Sequence, residues 1–407
     1  MMAPAIRYEE ARRLLDEAIA PLAKQESVLL ADALGRFAAE EVKSPLDLPH
    51  TRNAAVDGYA VSSAFLAANP DYEFPIIGIA KAGHPLGQSV PKDSAVRIFT
   101  GAIMPDGVDC VMMQEFCNAQ DDKVRFSGTL EAGKNCRPAG ENLHKGEVIV
   151  QKGECISPAH IGQAAAAGLT HLSVTAQVRV GILSTGDEVV SPSAEAHKEY
   201  GHIFDSNRPM IAALIKKAGH LVIDGGIIPD DKDDLSVAYG TLAANCDVII
   251  SSGGASQGDE DHSQAALKMN GAQSLFWRVA IKPGRPVAAS LIGSVPVFCL
   301  PGNPVAVLVC FYLFVKPVLD KLSHFPFKPL TSLKIKAGFS AKKAPNERAE
   351  FRRVKLALTN EGETVMLPHG RRGAGVLSSL TGADGLAELP YECGEVPEGQ
   401  KLPFIML

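Results

Sequence analysis

The chain has 407 residues, of which 46% are hydrophobic and 21% charged, and its net charge is -6. This length predicts two to four domains, and the composition is typical of a globular protein rather than a disordered one. The acidic balance argues against a general nucleic-acid-binding protein, which normally has a basic surplus, so an anionic ligand must meet locally placed Lys and Arg.

The first part of the chain predicts a helix followed by two small domains. The opening segment is amphipathic and carries acidic residues, so it predicts a surface helix and not a signal peptide. Residues 47–142 contain short β-like runs separated by Gly and Pro, which predicts a small β domain without sustained helical periodicity. The flanking stretches, 27–46 and 143–174, are assigned together to an N-terminal linking domain. It includes a helix that begins after Ser157 and ends at Gly168.

The second part of the chain predicts an α/β domain and then a further β domain. Residues 1–26 and 175–327 are assigned to the α/β domain, because apolar strands alternate with amphipathic helices from Val178 onward. The runs VRVGILS, FWRVAI and VPVFCL are among these predicted strands. Continuous apolar strands indicate a doubly wound, mostly parallel sheet that is covered on both faces. Residues 328–407 return to short β runs. The longest apolar run, 305–315, is too short to span a bilayer, so we expect a cytoplasmic protein without membrane contact.

Five loops rich in Gly, Pro, Asp and Ser each follow an apolar run of the α/β domain. They are STGDE (184–188), IPDD (228–231), SSGGASQGDED (251–261), KPGRP (282–286) and PGNP (301–304). The carboxyl ends of parallel strands share one edge of a sheet, which is where open α/β folds bind ligands. The sequence therefore predicts that the five loops form one site.

Two of these loops have features of phosphate-binding turns. In PGNP, Asn303 suits an N-cap and Pro304 the first helical position, so the loop would present free backbone N–H groups to an anion. In the longer loop, Gly253 and Gly254 let a ligand approach the backbone. The alternative for PGNP is a tight turn and cap without a ligand.

Carboxylates and cations accompany these turns. The carboxylates are Asp187, Glu188, Asp230, Asp231, Asp259, Glu260 and Asp261. Some could simply cap helices, but acids beside glycines also suit an oxyanion ligand with Mg²⁺, which takes one or two protein carboxylates. Lys282 and Arg285 would suit an anion at the same edge, although they could also be solvated surface charges.

Other common chemistries lack support in this sequence. It contains no Ser-His-Asp order, HExxH or P-loop motif, which argues against a triad hydrolase, a zinc protease and a P-loop enzyme. The eight cysteines are dispersed, so we expect neither a structural zinc site nor a disulfide framework.

An ordered series of motifs covers nearly the whole chain. These are RNAAVDGYAV, FTGAIMPDGVDCVMMQE, RPAGENLHKGE, LSTGDEVV, DSNRPM, SSGGASQGDED, IKPGRPVA, LPGNPVAV, FRRVKL and GVLSSLTGADGL. In this series the chain resembles the MoeA-type molybdopterin molybdenumtransferases, the family that includes the E domain of gephyrin. The resemblance implies a molybdopterin-binding fold for the α/β domain, a C-terminal β-barrel domain, and an elongated homodimer whose active site is shared between subunits.

The resemblance also implies the reaction and the partners. The family inserts molybdate into the dithiolene of adenylylated molybdopterin and releases AMP, with Mg²⁺ as cofactor. Expected partners are the molybdopterin adenylyltransferase and chaperones of apo-molybdoenzymes, with no nucleic acid and no membrane.

The resemblance also implies site roles for individual residues of these motifs. The catalytic set is Asp57, Glu188, Asp230, Asp261, Lys282 and Arg285, with Asp230 and Asp261 as candidate Mg²⁺ ligands. The substrate-binding set is Thr100, Arg137, Thr185, Gly186, Asp187, Ser252, Gly253, Gly254, Pro301, Gly302, Asn303 and Arg353. Within these sets, Arg353 would reach molybdate from the C-terminal domain. Asp57 and Thr100 would come from the other subunit.

Four positions depart from the family pattern. Glu347 replaces a glycine, Arg285 replaces the second lysine of KPGKP, and Ala374 replaces a serine. Asn142 stands where some relatives carry Asp, so it is assigned no acid role. Arginine keeps the charge, whereas Ala374 removes a hydroxyl donor from the expected molybdate pocket.

Two alternative functions stay open. A molybdopterin adenylyltransferase shares the α/β domain and uses ATP, but such proteins usually consist of that domain alone. A non-enzymatic scaffold, as in gephyrin, is the other alternative, although this chain lacks the second α/β domain and the long linker of that architecture.

Overall fold

A computed structural model describes residues 5–192, 201–253, 262–323, 333–345 and 347–407. The chain divides into two compact units. The larger unit comprises Met1–Gln25 and Thr175–Leu407, and the smaller unit comprises Glu26–Val174. Among the described residues, no helix combines the length and apolar character needed to cross a membrane.

The larger unit is built on a six-stranded sheet. In spatial order its strands are Leu221–Ile228, Arg179–Thr185, Val248–Ser252, Val295–Leu300, Ala288–Ile292 and Gln273–Phe276. The first four run parallel, and the fifth is antiparallel to both of its neighbours. The predicted mostly parallel sheet is therefore confirmed.

Helices cover both faces of this sheet. Val180 and Ile182 point to one core, and Leu183 and Ile249 belong to another on the opposite face. This arrangement explains why the strands are apolar without alternation. The first face is covered by Tyr8–Ala18, Asn207–Lys217, Pro304–Cys310, the π-helical turn Phe311–Val315 and Lys316–Leu322. The second face is covered by Lys232–Asn245 and His262–Met269.

One predicted strand was wrong. The run FWRVAI was predicted as a single strand, but Gln273–Phe276 ends at its first residue. A separate strand, Ile281–Lys282, begins at its last residue and pairs in parallel with Ala349–Leu358. The KPGRP loop therefore does not follow a strand of the central sheet. It reaches the carboxyl edge by leading into the antiparallel strand, whose first residue, Ala288, pairs with Cys299.

The predicted C-terminal β-barrel is confirmed. Five strands pair in a closed cycle, in the order Ala349–Leu358, Thr364–Pro368, Leu333–Ala337, Lys401–Met406, Gly385–Leu389 and back to the first. Apolar side chains such as Val354, Met366 and Phe404 fill its interior. Two short ribbons complete the described strands of this unit, Ala341–Lys342 with Glu395–Val396 and Val189–Val190 with Ile203–Phe204, and a 3-10 turn spans Leu377–Ser379.

A buried carboxyl group joins the N-terminal helix to the barrel. The Tyr8 hydroxyl donates to Oε1 of Glu388 at 2.7 Å, and the Tyr8 backbone N–H donates to the Tyr391 hydroxyl at 2.8 Å. Glu388 is only 5% exposed. Burial raises the pKa of Glu388 above its ordinary value of 4.5, although the Tyr8 hydrogen bond opposes this shift.

We expect Glu388→Gln to stabilise the fold near neutral pH. The raised pKa means that the folded state binds more protons than the unfolded state just above pH 4.5, so the wild-type free energy of unfolding falls as pH rises through that interval. A glutamine side chain does not ionise, so it avoids this loss of unfolding free energy. Its amide oxygen can still accept the hydrogen bond from the Tyr8 hydroxyl. Urea unfolding between pH 4 and 8 should show that the free energy of unfolding of Glu388→Gln exceeds that of wild type by an amount that grows with pH. A difference that stays constant with pH would contradict the prediction. The control is Glu392→Gln, at an exposed position.

The smaller unit contains a second six-stranded sheet. In spatial order its strands are Cys110–Met113, Gly58–Val61, Ala95–Ile98, Phe74–Ala80, Lys123–Phe126 and Cys117–Gln120. Short pairs join Val42–Lys43 with Val148–Val150, Asn53–Ala54 with Cys136–Arg137, and Gln25–Leu29 with His171–Thr175, and 3-10 turns span Leu30–Asp32 and Gln114–Phe116. These strands agree with the short β runs predicted from the sequence.

Two helices lie in the smaller unit. Pro158–Ala166 begins with a capping box between Ser157 and His160, and Gly168 follows it with φ +77°, so the predicted helix is confirmed. Ser63–Ala68 was not predicted, because six residues are too few to show a helical period. Ser62 caps it by accepting from the Phe65 N–H.

Candidate active site

Three predicted site residues meet where two neighbouring parallel strands end. The Asp230 N–H donates to Oδ1 of Asp187 at 3.0 Å, and the Thr185 hydroxyl donates to Oδ1 of Asp230 at 3.5 Å. Thr185 is buried, whereas both carboxylates are exposed. The hydrogen bonds leave carboxylate oxygens of both acids facing solvent at a fixed place on the sheet edge.

Glu188 lies against the same turn. Gly186 has φ +133°, and a Cβ on it would lie 2.6 Å from Oε2 of Glu188. The carboxylate therefore folds over the backbone of Gly186. A larger residue at Gly186 would displace this acid, so glycine is required there by conformation and by space.

The backbone at Gly253 packs directly on the neighbouring strand end. Its φ is +97°, a Cβ would lie 2.3 Å from the Thr185 carbonyl oxygen, and its N–H donates to the Leu300 carbonyl at 3.2 Å. Three strand ends are thus held together at this one glycine.

We expect Gly253→Ala to lower the free energy of unfolding by about 1–3 kcal/mol, because an alanine there is strained in φ and meets a carbonyl oxygen. Thermal unfolding measures this loss. Gly302→Ala is the matched stability control, since Gly302 has no atom within 4 Å of its Cβ position. Equal melting temperatures for the two variants would refute the prediction.

The two aspartates of IPDD have different environments. Asp231 caps the helix Lys232–Asn245, because its Oδ1 accepts from the N–H groups of Asp234 at 3.1 Å and Asp233 at 2.7 Å. These bonds lower the pKa of Asp231. The helix-capping alternative thus applies to Asp231, and it leaves Asp230 available for a ligand.

The PGNP loop differs from its prediction in one respect. Asn303 occupies the N-cap position but its side chain makes no capping hydrogen bond. The Val305 N–H, expected to be free, instead donates to the Ala374 carbonyl of the barrel at 3.0 Å. Local sequence could not show this contact, because the two residues are far apart in the chain.

A cavity of about 640 Å³ lies where the KPGRP and PGNP loops face the barrel. Pro301 and Asn303 line one side, together with Ala374 from a barrel loop. Eight cationic residues also line it: Lys282, Arg285, Lys342, Lys343, Arg348, Arg352, Arg353 and Arg372. Two acids, Glu347 and Glu350, are the carboxylates of its lining. In a chain of net charge -6, this concentration of cations indicates a site for an anion.

Some of these cations are already engaged. Glu350 accepts from the Arg352 Nε at 2.8 Å and lies 3.7 Å from the Lys282 ammonium. The Lys343 ammonium donates to backbone carbonyls, including that of Tyr391 at 3.0 Å. Sequence analysis missed Glu350, although its position two residues from Arg352 on one strand places both side chains on the same face.

Arg353 lines this cavity and has an unused hydrogen-bond donor among the described residues. It is 9% exposed, and its Nη2 donates to the carbonyls of Arg371 at 2.7 Å and Gly373 at 3.4 Å. Its Nε is buried and has no hydrogen-bond partner. Burial lowers the pKa of Arg353, but an arginine remains charged at neutral pH. A buried charged donor without a partner is rare and indicates a ligand position.

The smaller unit brings Asp57 and Thr100 together. The backbone N–H and the hydroxyl of Thr100 donate to Oδ1 of Asp57 at 2.8 and 2.7 Å, and these bonds lower the pKa of Asp57. Arg97, which sequence analysis missed, stacks on Tyr59 with 5.0 Å from Cζ to the ring centroid. Arg137 is exposed, and its described ion pair is with Glu141 at 4.0 Å.

Four predicted positions lie outside the described residues: Gly254, Asp259, Glu260 and Asp261. Within the described part of the chain, no three His, Cys, Asp or Glu side chains are grouped closely enough to hold a metal ion. Mg²⁺ commonly needs only one or two protein carboxylates, so Asp187 and Asp230 are compatible with it.

The fold and the cavity together define a class, an α/β protein with a cation-lined cavity at the carboxyl edge of its sheet, where open α/β folds bind ligands. Family comparisons narrow the class. Residues 6–168 match the MoeA N-terminal region (domain I and II), residues 181–321 a probable molybdopterin binding domain, and residues 334–407 the MoeA C-terminal region (domain IV).

Individual relatives extend over the whole chain. A molybdopterin molybdenumtransferase from Haemophilus influenzae is 33% identical over 397 residues, which is 97% of each chain. Molybdopterin molybdenumtransferase 2 from Mycobacterium tuberculosis is 32% identical over 387 residues, 92% of this chain and 93% of the relative. A molybdopterin biosynthesis MoeA protein from Pyrococcus horikosii has a TM-score of 0.85 at 26% identity, covering 99% of both chains. This chain belongs to the MoeA family.

Proposed function

We propose that this chain is a molybdopterin molybdenumtransferase, an enzyme of molybdenum cofactor biosynthesis that inserts molybdate into adenylylated molybdopterin and releases AMP. The observation that carries the proposal is the cationic cavity, with the unpartnered Nε of Arg353 in its wall. A tetrahedral oxyanion offers several acceptors, which suits a donor that no protein group satisfies.

Molybdate binds in this cavity. Arg353 contributes its guanidinium charge, and Lys282 and Arg285 on the KPGRP loop contribute further positive charge. Arg285 replaces a lysine of the family pattern and keeps the charge. Ala374 contributes no hydroxyl, but its carbonyl still fixes the barrel loop on the Val305 N–H.

The phosphate groups of the pterin substrate bind at the adjoining strand ends. Gly186, Gly253, Thr185 and Ser252 are assigned to these phosphates. At Gly302 no atom lies within 4 Å of the Cβ position, so a phosphate can approach the backbone there. Pro301 and Asn303 lie between these loops and the molybdate cavity, which they also line. The substrate thus extends from the strand ends to the cavity.

Asp187 and Asp230 would hold Mg²⁺, together with Asp261 and substrate phosphates. Their environment fits the ion, because two exposed carboxylates are fixed by backbone and hydroxyl donors. When bound, Mg²⁺ supplies charge stabilisation for the pyrophosphate as it is cleaved. Glu188, a member of the predicted catalytic set, is assigned to the same site.

Asp57, Thr100 and Arg137 are assigned to the same active site, contributed by the second subunit of a homodimer. The low pKa of Asp57 keeps this carboxylate ionised at neutral pH. An acid in that state acts as an acceptor or a base and does not donate a proton.

The test is a turnover assay with the purified chain and adenylylated molybdopterin, in the presence and absence of molybdate and Mg²⁺. AMP release that requires both ions supports the proposal. Consumption of ATP to make adenylylated molybdopterin would instead indicate an adenylyltransferase. A chain that dimerises and gives neither reaction would indicate the scaffold alternative.

A further inference from the structure

The segment Asp205–Arg208 contacts the loops at two strand ends and the middle of the edge strand, although none of its residues was assigned a role. It leads into the helix Asn207–Lys217. We propose that Asn207 and Arg208 are positioning residues, which hold these loops in the arrangement that the substrate requires. This inference rests on the proposed function, because it concerns the loops that bind the pterin substrate.

Asn207 ties two neighbouring loops together. Its Nδ2 donates to the Ser252 hydroxyl at 2.8 Å and to the Gly302 carbonyl at 2.7 Å. Ser252 pairs with Leu300 in the adjacent parallel strand, so the two acceptors belong to loops that leave the sheet side by side. One amide group therefore fixes the spacing between the Gly253 turn and the PGNP turn.

Stability alone does not explain this amide. Asn207 is 9% exposed, and its Oδ1 is buried without a hydrogen-bond partner among the described residues. A buried acceptor without a partner is costly and uncommon, and it is retained most often at functional sites. The side chain thus keeps an unfavourable group inside the fold while its amide nitrogen holds the loops.

Arg208 acts on a third strand, at a residue in its middle. Its Nε donates to Oδ2 of Asp205 at 3.0 Å, and its Nη1 pairs with the carboxylate of Asp224. Asp224 in turn accepts from the Gly226 N–H at 2.9 Å. One guanidinium group thus links the start of the helix to the edge strand Leu221–Ile228.

That edge strand is irregular at the point where Arg208 holds it. Ile182 pairs with Asp224 but Ser184 pairs with Ile227, so an extra residue bulges between them. A β-bulge turns the following side chains to a new direction, and Asp230 lies two residues after the strand ends. Arg208 therefore sets the direction from which Asp230 approaches the site.

The main test is Asn207→Asp, which keeps the side-chain shape and replaces the donor with an acceptor. We expect kcat/KM for molybdate-dependent AMP release to fall on the order of 10²-fold, mainly through a higher KM for adenylylated molybdopterin. Amide hydrogen exchange should become faster in peptides covering 248–253 and 300–303. Unchanged exchange in both peptides, or an unchanged KM, would overturn the proposal.

Asn270→Asp is the matched control. The Asn270 Nδ2 also donates to two backbone carbonyls, those of Ser236 and Ala266, each at 3.0 Å. Neither acceptor belongs to a predicted site residue. We expect this variant to lose stability without a change in KM. If both aspartate variants raise KM equally, the effect of Asn207 is only structural and the inference fails.

Two further variants keep the proposal testable if Asn207→Asp does not fold. Asn207→Ser is uncharged and too short to reach both acceptors, so it should raise KM in the same way. Arg208→Lys keeps the charge but not the fork that joins Asp205 and Asp224. It should raise the Mg²⁺ concentration needed for half-maximal activity, because Asp230 is misdirected. An unchanged Mg²⁺ requirement would remove Arg208 from the proposal.

Failure of the two proposals can be told apart. If the wild-type chain releases no AMP with molybdate, the proposed function fails. The hydrogen-exchange arm still decides whether Asn207 holds the two loops, because it needs no substrate.

Discussion

Replacing Arg353 with alanine is expected to lower kcat/KM for molybdate-dependent AMP release by about 10- to 10²-fold, because a hydrogen bond to a charged group contributes about 1.5–3 kcal/mol to binding. The Arg353 Nε is the buried donor that no protein group satisfies, and its Nη2 holds the loop carbonyls of Arg371 and Gly373. The measurement is initial rate against molybdate concentration at saturating adenylylated molybdopterin. The loss should lie mainly in the KM for molybdate.

Two variants separate binding from folding in that experiment. Arg353→Lys keeps the charge but loses the planar fork, so we expect it to recover only part of the activity. Lys336→Ala removes an exposed barrel cation that pairs with Glu363, and it should behave as wild type. An Arg353→Ala protein that melts at the wild-type temperature and keeps its KM for molybdate would exclude Arg353 from the molybdate site.

Neighbouring aspartates give the second large prediction. Asp230→Ala should lower the rate of AMP release by about 10²-fold or more, and added Mg²⁺ should restore little of it, because the substrate phosphates lose a charged metal site. Asp231→Ala removes a helix cap and should cost about 1 kcal/mol of unfolding free energy, with activity near that of wild type. Paired rate and urea-unfolding measurements compare the two.

The contrast between these variants is the sharper result. Both residues are acidic, exposed and adjacent, so a general effect of charge on the sheet edge would reduce both activities equally. Equal losses would therefore contradict the separate roles. If only Asp231→Ala lost activity, the metal ligand would be Asp231, and the proposed role of Asp230 would be wrong.

Local patterns predicted the strands and helices well because each depends on neighbouring residues. Apolar runs such as VRVGILS and VPVFCL gave the central strands, and Ser157 with Gly168 gave a helix and its ends. Such local patterns do not show which strands pair when the partners are far apart in the chain. Ile281–Lys282 joins the barrel through Ala349–Leu358, a partner nearly seventy residues away, so the run FWRVAI looked like a strand of the central sheet.

The candidate site was predictable by residue type but not by arrangement. Sequence placed Asp230 and Asp231 at one strand end, yet which of them caps the helix depends on backbone direction there. The DSNRPM motif was visible, but Ser206 and Asn207 have the composition of an ordinary helix start. The contact of Asn207 with Ser252 and Gly302 depends on how the strands are ordered in the sheet.

The short strand Ile281–Lys282 has a mechanical consequence for the cavity. Its ladder with the barrel, Ile281 opposite Ala349 and Lys282 opposite Glu350, continues through the KPGRP turn into the central sheet. The two walls that face each other across the cavity are therefore joined by main-chain hydrogen bonds and by continuous backbone. These connections resist hinge opening. We therefore expect the cavity to keep a nearly constant width and to select an oxyanion by its size, without closing around it.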